Sequence, residues 1–471
     1  MRAIATAGSL LLAALAAVST LALTAEPRSD AATAIEKVEK ARDLLRKDLY
    51  EDALDAAGSA VELSPELAAA HETLAAALYR RGDFPESEHH YRRAVELDPD
   101  DAAAHFGVGR ILRTLGSYAE AAESFHEAAR LAPETPKYLR TLSNHLARRE
   151  DSLELLRRYL AIARRDGANT GTSFPPEGEE TIRNVEAWVA LLETLGDRPL
   201  AERVKSEPCT VRLQIAQKQP YLRLKVGGLE KQRFVFDTGA TGITISPRLA
   251  KKAGLTPIKP FSIGGTGAGR TETGSLVLID EIAIEDRIVI RNLPATVRDP
   301  AGPEEGLIGP STFSQFNITV DLDGRRLAFE PTGTGTTGRT EPFRNVGGQI
   351  LVTARVNDLP FNAMLDSGST STIVGTTTLA RVPGLDTVPG RWLTGTIVGV
   401  GGPITVRRMI LQGSLSMAGR AYPADGLPTG DLSGLSRALE SEVYLILGFP
   451  HLDDSAFTID YERMTVTFSS S

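Results

Sequence analysis

Cysteine is almost missing from this sequence. Cys209 is the one cysteine among 471 residues, which excludes intrachain disulfides and cysteine-built structural zinc sites. Histidine is scarce where it would matter most. His71, His89, His90, His105, His126 and His145 all precede residue 150, leaving His451 alone in the C-terminal half. A Ser/His/Asp triad or a histidine-rich metal site in that half is close to excluded, so chemistry there must rest on carboxylates, hydroxyls or backbone. An excess of positive charge is also lacking: a net charge of -8 argues against a general nucleic-acid binder. Past the first residues, no run is long and apolar enough to cross a membrane.

That first stretch is different. Met1 and Arg2 precede an uncharged run from Ala3 to Ala25 rich in Leu and Ala. A short positive region, an apolar core and small residues near Ala25 are the marks of an export signal over residues 1–25. The other reading is a retained N-terminal anchor, since the run could just span a bilayer. The Ser and Thr within it and its Ala-rich core favour cleavage. Either way the expectation is an exported chain, periplasmic or secreted, that meets the membrane only if the segment is retained.

Composition then divides the chain. Residues 1–200 hold 10 of the 43 glycines and residues 201–471 hold the other 33. Few glycines with much Ala, Leu, Glu and Arg predict helix; many glycines among Val, Ile and Thr predict strands and turns. The boundary falls near residue 200.

The first half repeats at a constant interval. Pro65, Pro99 and Pro133 keep one spacing, and the same spacing separates Gly82 from Gly116, the aromatics Tyr50, Phe84 and Tyr118, and the small residues Ala60, Ala94 and Ala128. Each marker has a physical place: glycine where the chain reverses, alanine where paired helices approach, proline after a helix that cannot continue through it. This pattern, with its period of about 34 residues, resembles the tetratricopeptide repeat (TPR). Three repeats cover about 34–67, 68–101 and 102–135. Residues 136–165 read as a degenerate fourth helix pair and 181–195 as a capping helix, with Gly167–Glu180 as an exposed loop between them. The resemblance implies an all-α solenoid over 34–200 whose groove binds a protein partner. The plainer alternative is a spacer.

The second half repeats once, and each copy carries an aspartate. Phe234-Val235-Phe236 runs into Asp237-Thr238-Gly239-Ala240-Thr241, and Ala363-Met364-Leu365 into Asp366-Ser367-Gly368-Ser369-Thr370. Downstream, Leu307-Ile308-Gly309 leads to Asp321, and Ile446-Leu447-Gly448 leads at the same interval to Asp460. A single Asp-Thr-Gly is ordinary turn chemistry. Two such motifs in one chain, each on an apolar strand and each followed by an apolar-apolar-Gly run, are far more specific.

This pairing resembles the two-lobed aspartic proteases of the retropepsin-like and pepsin-like kind, an all-β bilobal acid-protease fold. The motif with Ala240 is closer to the retroviral form and that with Ser369 to the pepsin form. The resemblance covers lobe one over 209–331 and lobe two over 342–470. It implies an aspartic endopeptidase with Asp237 and Asp366 as catalytic pair and a peptide or protein as substrate. Neither a metal nor another cofactor is implied. Two carboxylates at hydrogen-bond distance share one proton; the ionised member activates water and the neutral one donates to the peptide carbonyl. Gly239 and Gly368 are expected to let the backbone turn beneath the carboxylates. By resemblance, Thr238 and Ser367 cross-link the two loops.

Substrate-binding flaps are expected at Gly264, Gly265 and Gly267, in the glycine-rich run that follows the Asp237 motif, and at Gly399, Gly401 and Gly402, in the run that follows the Asp366 motif. Neither run contains the tyrosine of a pepsin flap. Gly264–Thr271 nearly spells a phosphate-binding loop, but Arg270 replaces the lysine and a strand pattern follows where a helix is required. Because Ala240 lacks the hydroxyl that pepsin-like sites place beside one aspartate, activity is expected to be less confined to strong acid. The rival from another class is a protease-like half that holds peptides without cutting them. A further possibility is pairing of each lobe with its counterpart in another chain.

Overall fold

The computed structural model describes residues 29–471 except 147, 171–175, 264–271, 299–303, 383–392, 400–401, 409–413, 423–426, 454–455 and 470–471. Helices fill the first part: α1 (Asp30–Arg46), α2 (Tyr50–Leu63), α3 (Ala68–Arg81), α4 (Phe84–Leu97), α5 (Ala102–Thr114), α6 (Tyr118–Leu131), α7 (Pro136–Ser143), α8 (Arg149–Thr170) and α9 (Pro176–Leu195). The markers of the repeat sit at their joints. Gly82 and Gly116 take φ of +83° and +88° just beyond α3 and α5, where an L-residue would be strained. Ala60, Ala94 and Ala128 are fully buried, and their carbonyls accept the amides of Ser64, Asp98 and Ala132 that close α2, α4 and α6. Pro65, Pro99 and Pro133 each stand just past the end of one of these helices.

One expectation for this half is corrected. Gly167–Glu180 is not a loop throughout: α8 runs on to Thr170 and α9 begins at Pro176. Pro176 occupies the first helical position, where the missing amide hydrogen costs nothing and the fixed φ is favourable. Gly167 remains within α8, at a cost of about 1 kcal/mol that the rest of a long helix carries.

Strands fill the second part, forming among the described residues three sheets of nine, six and ten strands. The nine-stranded sheet belongs to lobe one and the ten-stranded sheet to lobe two. The six-stranded sheet joins them. At its centre Phe316–Asp321 pairs antiparallel with Ala456–Asp460, and the hydroxyls of Thr319 and Thr458 meet at 2.8 Å. Both lobes therefore share one continuous apolar core, from Phe234 and Phe236 through Phe329 and Phe457 to Leu365 and Leu447.

The helical half is built onto both lobes. At the C-terminal end of α3, three carbonyls accept donors from lobe two: Arg80 from the Glu442 amide (2.7 Å), Arg81 from the Tyr444 hydroxyl (3.2 Å) and Gly82 from Asn362 Nδ2 (3.1 Å). Those carbonyls have no partner within the helix, so the neighbouring lobe supplies it. On lobe one, the Asn184 side chain in α9 accepts from the Ser262 amide (2.7 Å) and donates to its carbonyl (2.9 Å), completing an edge strand. Among the described residues no helix is long and apolar enough to cross a membrane.

Glu442 at this junction is the wrong charge for its surroundings. Burial pushes its carboxyl up to about 7, with Glu51 adding to the shift and Arg381 opposing it. A carboxyl raised above its unfolded value stabilises least when ionised, so its contribution is lost as pH rises from the ordinary glutamate range through about 7. Glu442→Gln is expected to stabilise the chain by about 1 kcal/mol at pH 8 and by almost nothing near pH 5. Thermal melts of parent and variant at the two pH values would show this.

Candidate active site

Each aspartate ends an apolar strand that cannot slip. Leu229–Phe236 pairs in parallel with Gly306–Ile308, and Leu359–Leu365 with Leu445–Leu447. The paired triplets contain the apolar residues of the runs identified downstream of each motif, Leu307-Ile308 and Ile446-Leu447, and end just before Gly309 and Gly448. Their register places a carbonyl under each aspartate: the Asp237 amide donates to Ile308 and the Asp366 amide to Leu447, both at 3.0 Å. A one-residue slip would put these side chains on the opposite face.

The motifs meet within one chain. Thr238 Oγ1 donates to the Leu365 carbonyl (2.8 Å) and accepts from the Ser367 amide (2.8 Å). Ser367 Oγ donates to the Phe236 carbonyl (2.9 Å) and accepts from the Thr238 amide (3.1 Å). Both side chains are buried, so four hydrogen bonds fix the two loops where water cannot compete. The intramolecular arrangement is the one observed.

Gly239 and Gly368 are needed for a different reason from the one expected. Neither has a positive φ, so the backbone there would accept an L-residue. What forbids one is space. A Cβ on Gly239 would lie 2.7 Å from Asp366 Cγ, and one on Gly368 would lie 2.4 Å from Asp237 Cγ. Each carboxylate rests against the opposite motif's glycine.

Residues 222–312 and 352–449 match the family model described as aspartyl protease, and residues 38–88 and 73–136 match the tetratricopeptide repeat. The chain thus matches both models, the tetratricopeptide repeat in its helical half and the aspartyl protease in its strand-rich half. No curated protein matches it. Among solved structures, an O-GlcNAc transferase mutant of Thermobaculum terrenum is 24% identical over 30% of this chain and 27% of its own, with a TM-score of 0.27. PilF of Pseudomonas aeruginosa is 18% identical over 36% of this chain and 72% of its own, with a TM-score of 0.30. The first TPR of Spaghetti (RPAP3), bound to an HSP90 peptide, is 20% identical over 24% of this chain and 91% of its own, with a TM-score of 0.23. The chain thus spans about a quarter of the transferase's length.

In the strand-rich half both aspartates titrate above their ordinary range. Burial is the largest cause for each. For Asp237 it is opposed by the Gly239 amide, which donates to Oδ1 at 2.8 Å, by a hydrogen bond with Asp366, and by the field of Arg298. For Asp366 the charge of Asp237 and the hydrogen bond between them add to burial, holding it well above the usual value despite the Ser369 amide at 2.8 Å. The pair titrates as a unit. Ser369 Oγ turns away and donates to the Ser371 carbonyl at 2.8 Å.

Two residues that sequence reasoning missed complete the loops. Gln219 Nε2 donates to the Gly368 carbonyl and Gln349 Nε2 to the Gly239 carbonyl, both at 2.9 Å. The exchange follows the twofold relation of the lobes: each lobe's glutamine holds the other lobe's motif. The signal was there, since Gln219 and Gln349 stand almost equally far ahead of Asp237 and Asp366. Gln219→Ala or Gln349→Ala is expected to destabilise by about 1–2 kcal/mol through an unmet carbonyl, and to lower activity through looser carboxylates. Denaturant melts and peptide turnover measured on the same samples would separate the two effects.

Of the expected flap residues, Gly264, Gly265, Gly267 and Gly401 lie outside the described residues. Their flanks form hairpins. Lys259–Ile263 pairs with the start of Glu272–Ile284, and Leu393–Gly399 with Gly402–Arg408, where Gly399 faces Gly402. The strand beginning at Glu272 also agrees with rejecting a phosphate-binding loop, which would open a helix there.

Proposed function

We propose that the protein is an exported aspartic endopeptidase, periplasmic or secreted, whose Asp237/Asp366 pair hydrolyses peptide bonds with an activated water. The observation carrying this is the hydrogen-bonded carboxylate pair, cross-linked through Thr238 and Ser367 and raised above the ordinary carboxylate range. The pair shares one proton, which belongs to both carboxyls as a unit. The ionised member takes a proton from water as the water oxygen bonds to the peptide carbon, and the neutral member gives its proton to the carbonyl oxygen. The gem-diol that forms collapses when the first member returns its proton to the amide nitrogen. The second recovers one from a diol hydroxyl as the C–N bond breaks, leaving an acid, an amine and the pair with one proton again. The glycine-rich runs with Gly264, Gly265, Gly267, Gly399, Gly401 and Gly402 would cover the extended substrate, and the repeats would engage a protein partner.

The test is digestion of a mixed peptide library by the parent and by Asp237→Asn and Asp366→Asn, from mildly acidic to neutral pH. Cutting by the parent alone supports the reading. Cutting by all three would defeat the site assignment, and peptide binding without cutting would favour the non-catalytic scaffold.

A further inference from the structure

Glu440 breaks two local rules. It follows the Ser433–Leu439 helix as its C-cap with φ +52° and ψ +29°, the left-handed region that favours glycine or asparagine. Its charge also sits at the negative end of that helix, where a cation is preferred. Nothing in lobe two's local chemistry accounts for a glutamate there.

The compensation comes from the repeat region. Glu440 Oε2 pairs with Arg110 Nη2 at 2.8 Å, and the charges of Lys137, Arg80 and Arg140 act on it as well. These four cations belong to α3, α5 and α7, the first helices of successive pairs, so the repeat geometry itself assembles them. Arg110 is buried, with its guanidinium 3.9 Å from the Tyr79 ring centre, and Lys137 Nζ lies 4.7 Å from that of Phe106. Burial and the nearby Arg110 push Lys137 down to about 8, while Arg110 above all holds Glu440 down at about 2. Cations packed this closely require an anion, and Glu440 provides it.

The segment after Glu440 leads directly to the active site. The Glu442 amide and Tyr444 hydroxyl grip α3, and the Leu445–Leu447 strand follows; the Leu447 carbonyl holds the Asp366 amide. Only the short stretch 440–447 separates the salt bridge from the backbone support of one aspartate.

We propose that the basic cluster of α3, α5 and α7 is a docking site for an acidic peptide segment, which lobe two fills in cis with Glu440 and which an acidic partner peptide takes by displacing it. When Glu440 leaves, the grip on residues 440–447 loosens, so docking is felt at Asp366. The inference rests on the protein-binding part of the proposed function and not on turnover, so it is tested on a full chain carrying Asp237→Asn.

The probe is a fluorescein-labelled hexapeptide of alternating glutamate and leucine, followed by anisotropy. Adding Glu440→Gly removes the cis competitor; it leaves the buried Arg110 without its anion but places at that φ the residue that best tolerates it. Circular dichroism together with Glu440→Gln, which keeps the side chain, checks that the effect is on binding and not on folding. Binding is expected to tighten about tenfold, to vanish when Arg110→Ala or Lys137→Met is added, and to be missing for the glutamine version of the probe. In the chain that retains Glu440, saturating probe is expected to speed amide hydrogen exchange across 440–447. Equal affinity with and without Glu440→Gly, or a gain that survives both cluster substitutions, would overturn the proposal, as would exchange that does not change. If the library digestion failed while this binding held, the protease reading alone would fall.

Discussion

Asp237→Asn or Asp366→Asn is expected to lower kcat/KM by at least about 10⁴, because in the proposed mechanism each removes a group that moves a proton. Asparagine keeps the size of the side chain and the amide contacts of Gly239 and Ser369, so the fold should survive. The folded state should even gain stability at neutral pH. A carboxyl raised above its unfolded value contributes less as pH climbs through its folded value, and a neutral amide is free of that loss. Activity and stability therefore move in opposite directions at these two positions, which a general folding defect would not produce.

The pH profile follows from the same environment. Turnover requires one proton on the pair: it fails at low pH when both carboxyls are protonated and at high pH when both are ionised. Both groups are shifted upward, while Ala240 has no hydroxyl to offer and that of Ser369 points to Ser371. The acid limb of kcat/KM is expected above about 3.9, the ordinary aspartate value, and a rate maximum below about pH 3 would contradict this. Arg298 favours ionised Asp237, so Arg298→Gln is expected to move the acid limb to higher pH.

Much of this was legible before any coordinates. The markers of the helical repeat encode helix ends, which are local chemistry, and the doubled Asp motif with its apolar-apolar-Gly partner encodes a register. What was hidden is long-range. Gln219 reaches a carbonyl in the other lobe and Glu440 a guanidinium in another half of the chain; no local pattern states those distances. The helices α8 and α9 reach further than Gly167 and Pro176 suggest, since both residues are breakers in general but Pro176 is favourable at a helix start. The motif glycines are required by space and not by φ, because sequence shows a missing side chain without showing what occupies its place.

That reason makes Gly368→Ala the second large effect. Its φ is compatible with alanine, so the substitution strains no backbone, and the Gln219 bond to its carbonyl and the Ser367 bonds beside it can persist. The new methyl would stand 2.4 Å from Asp237 Cγ and 2.5 Å from Oδ1, well inside contact distance. The carboxylate must swing away from Asp366, breaking the shared hydrogen bond. A displacement of about 1 Å in a positioned catalytic group costs on the order of 10² in rate, so kcat should fall at least that far while substrate binding changes little. Uncoupling the pair also removes the mutual shift, so the distance between the two limbs of the pH profile should narrow. The matching Gly239→Ala, 2.7 Å from Asp366 Cγ, should act in the same direction and more weakly. Pre-steady-state kinetics with both variants would separate kcat from binding. Full activity in Gly368→Ala would mean that the two carboxylates are not held against each other's glycines during turnover.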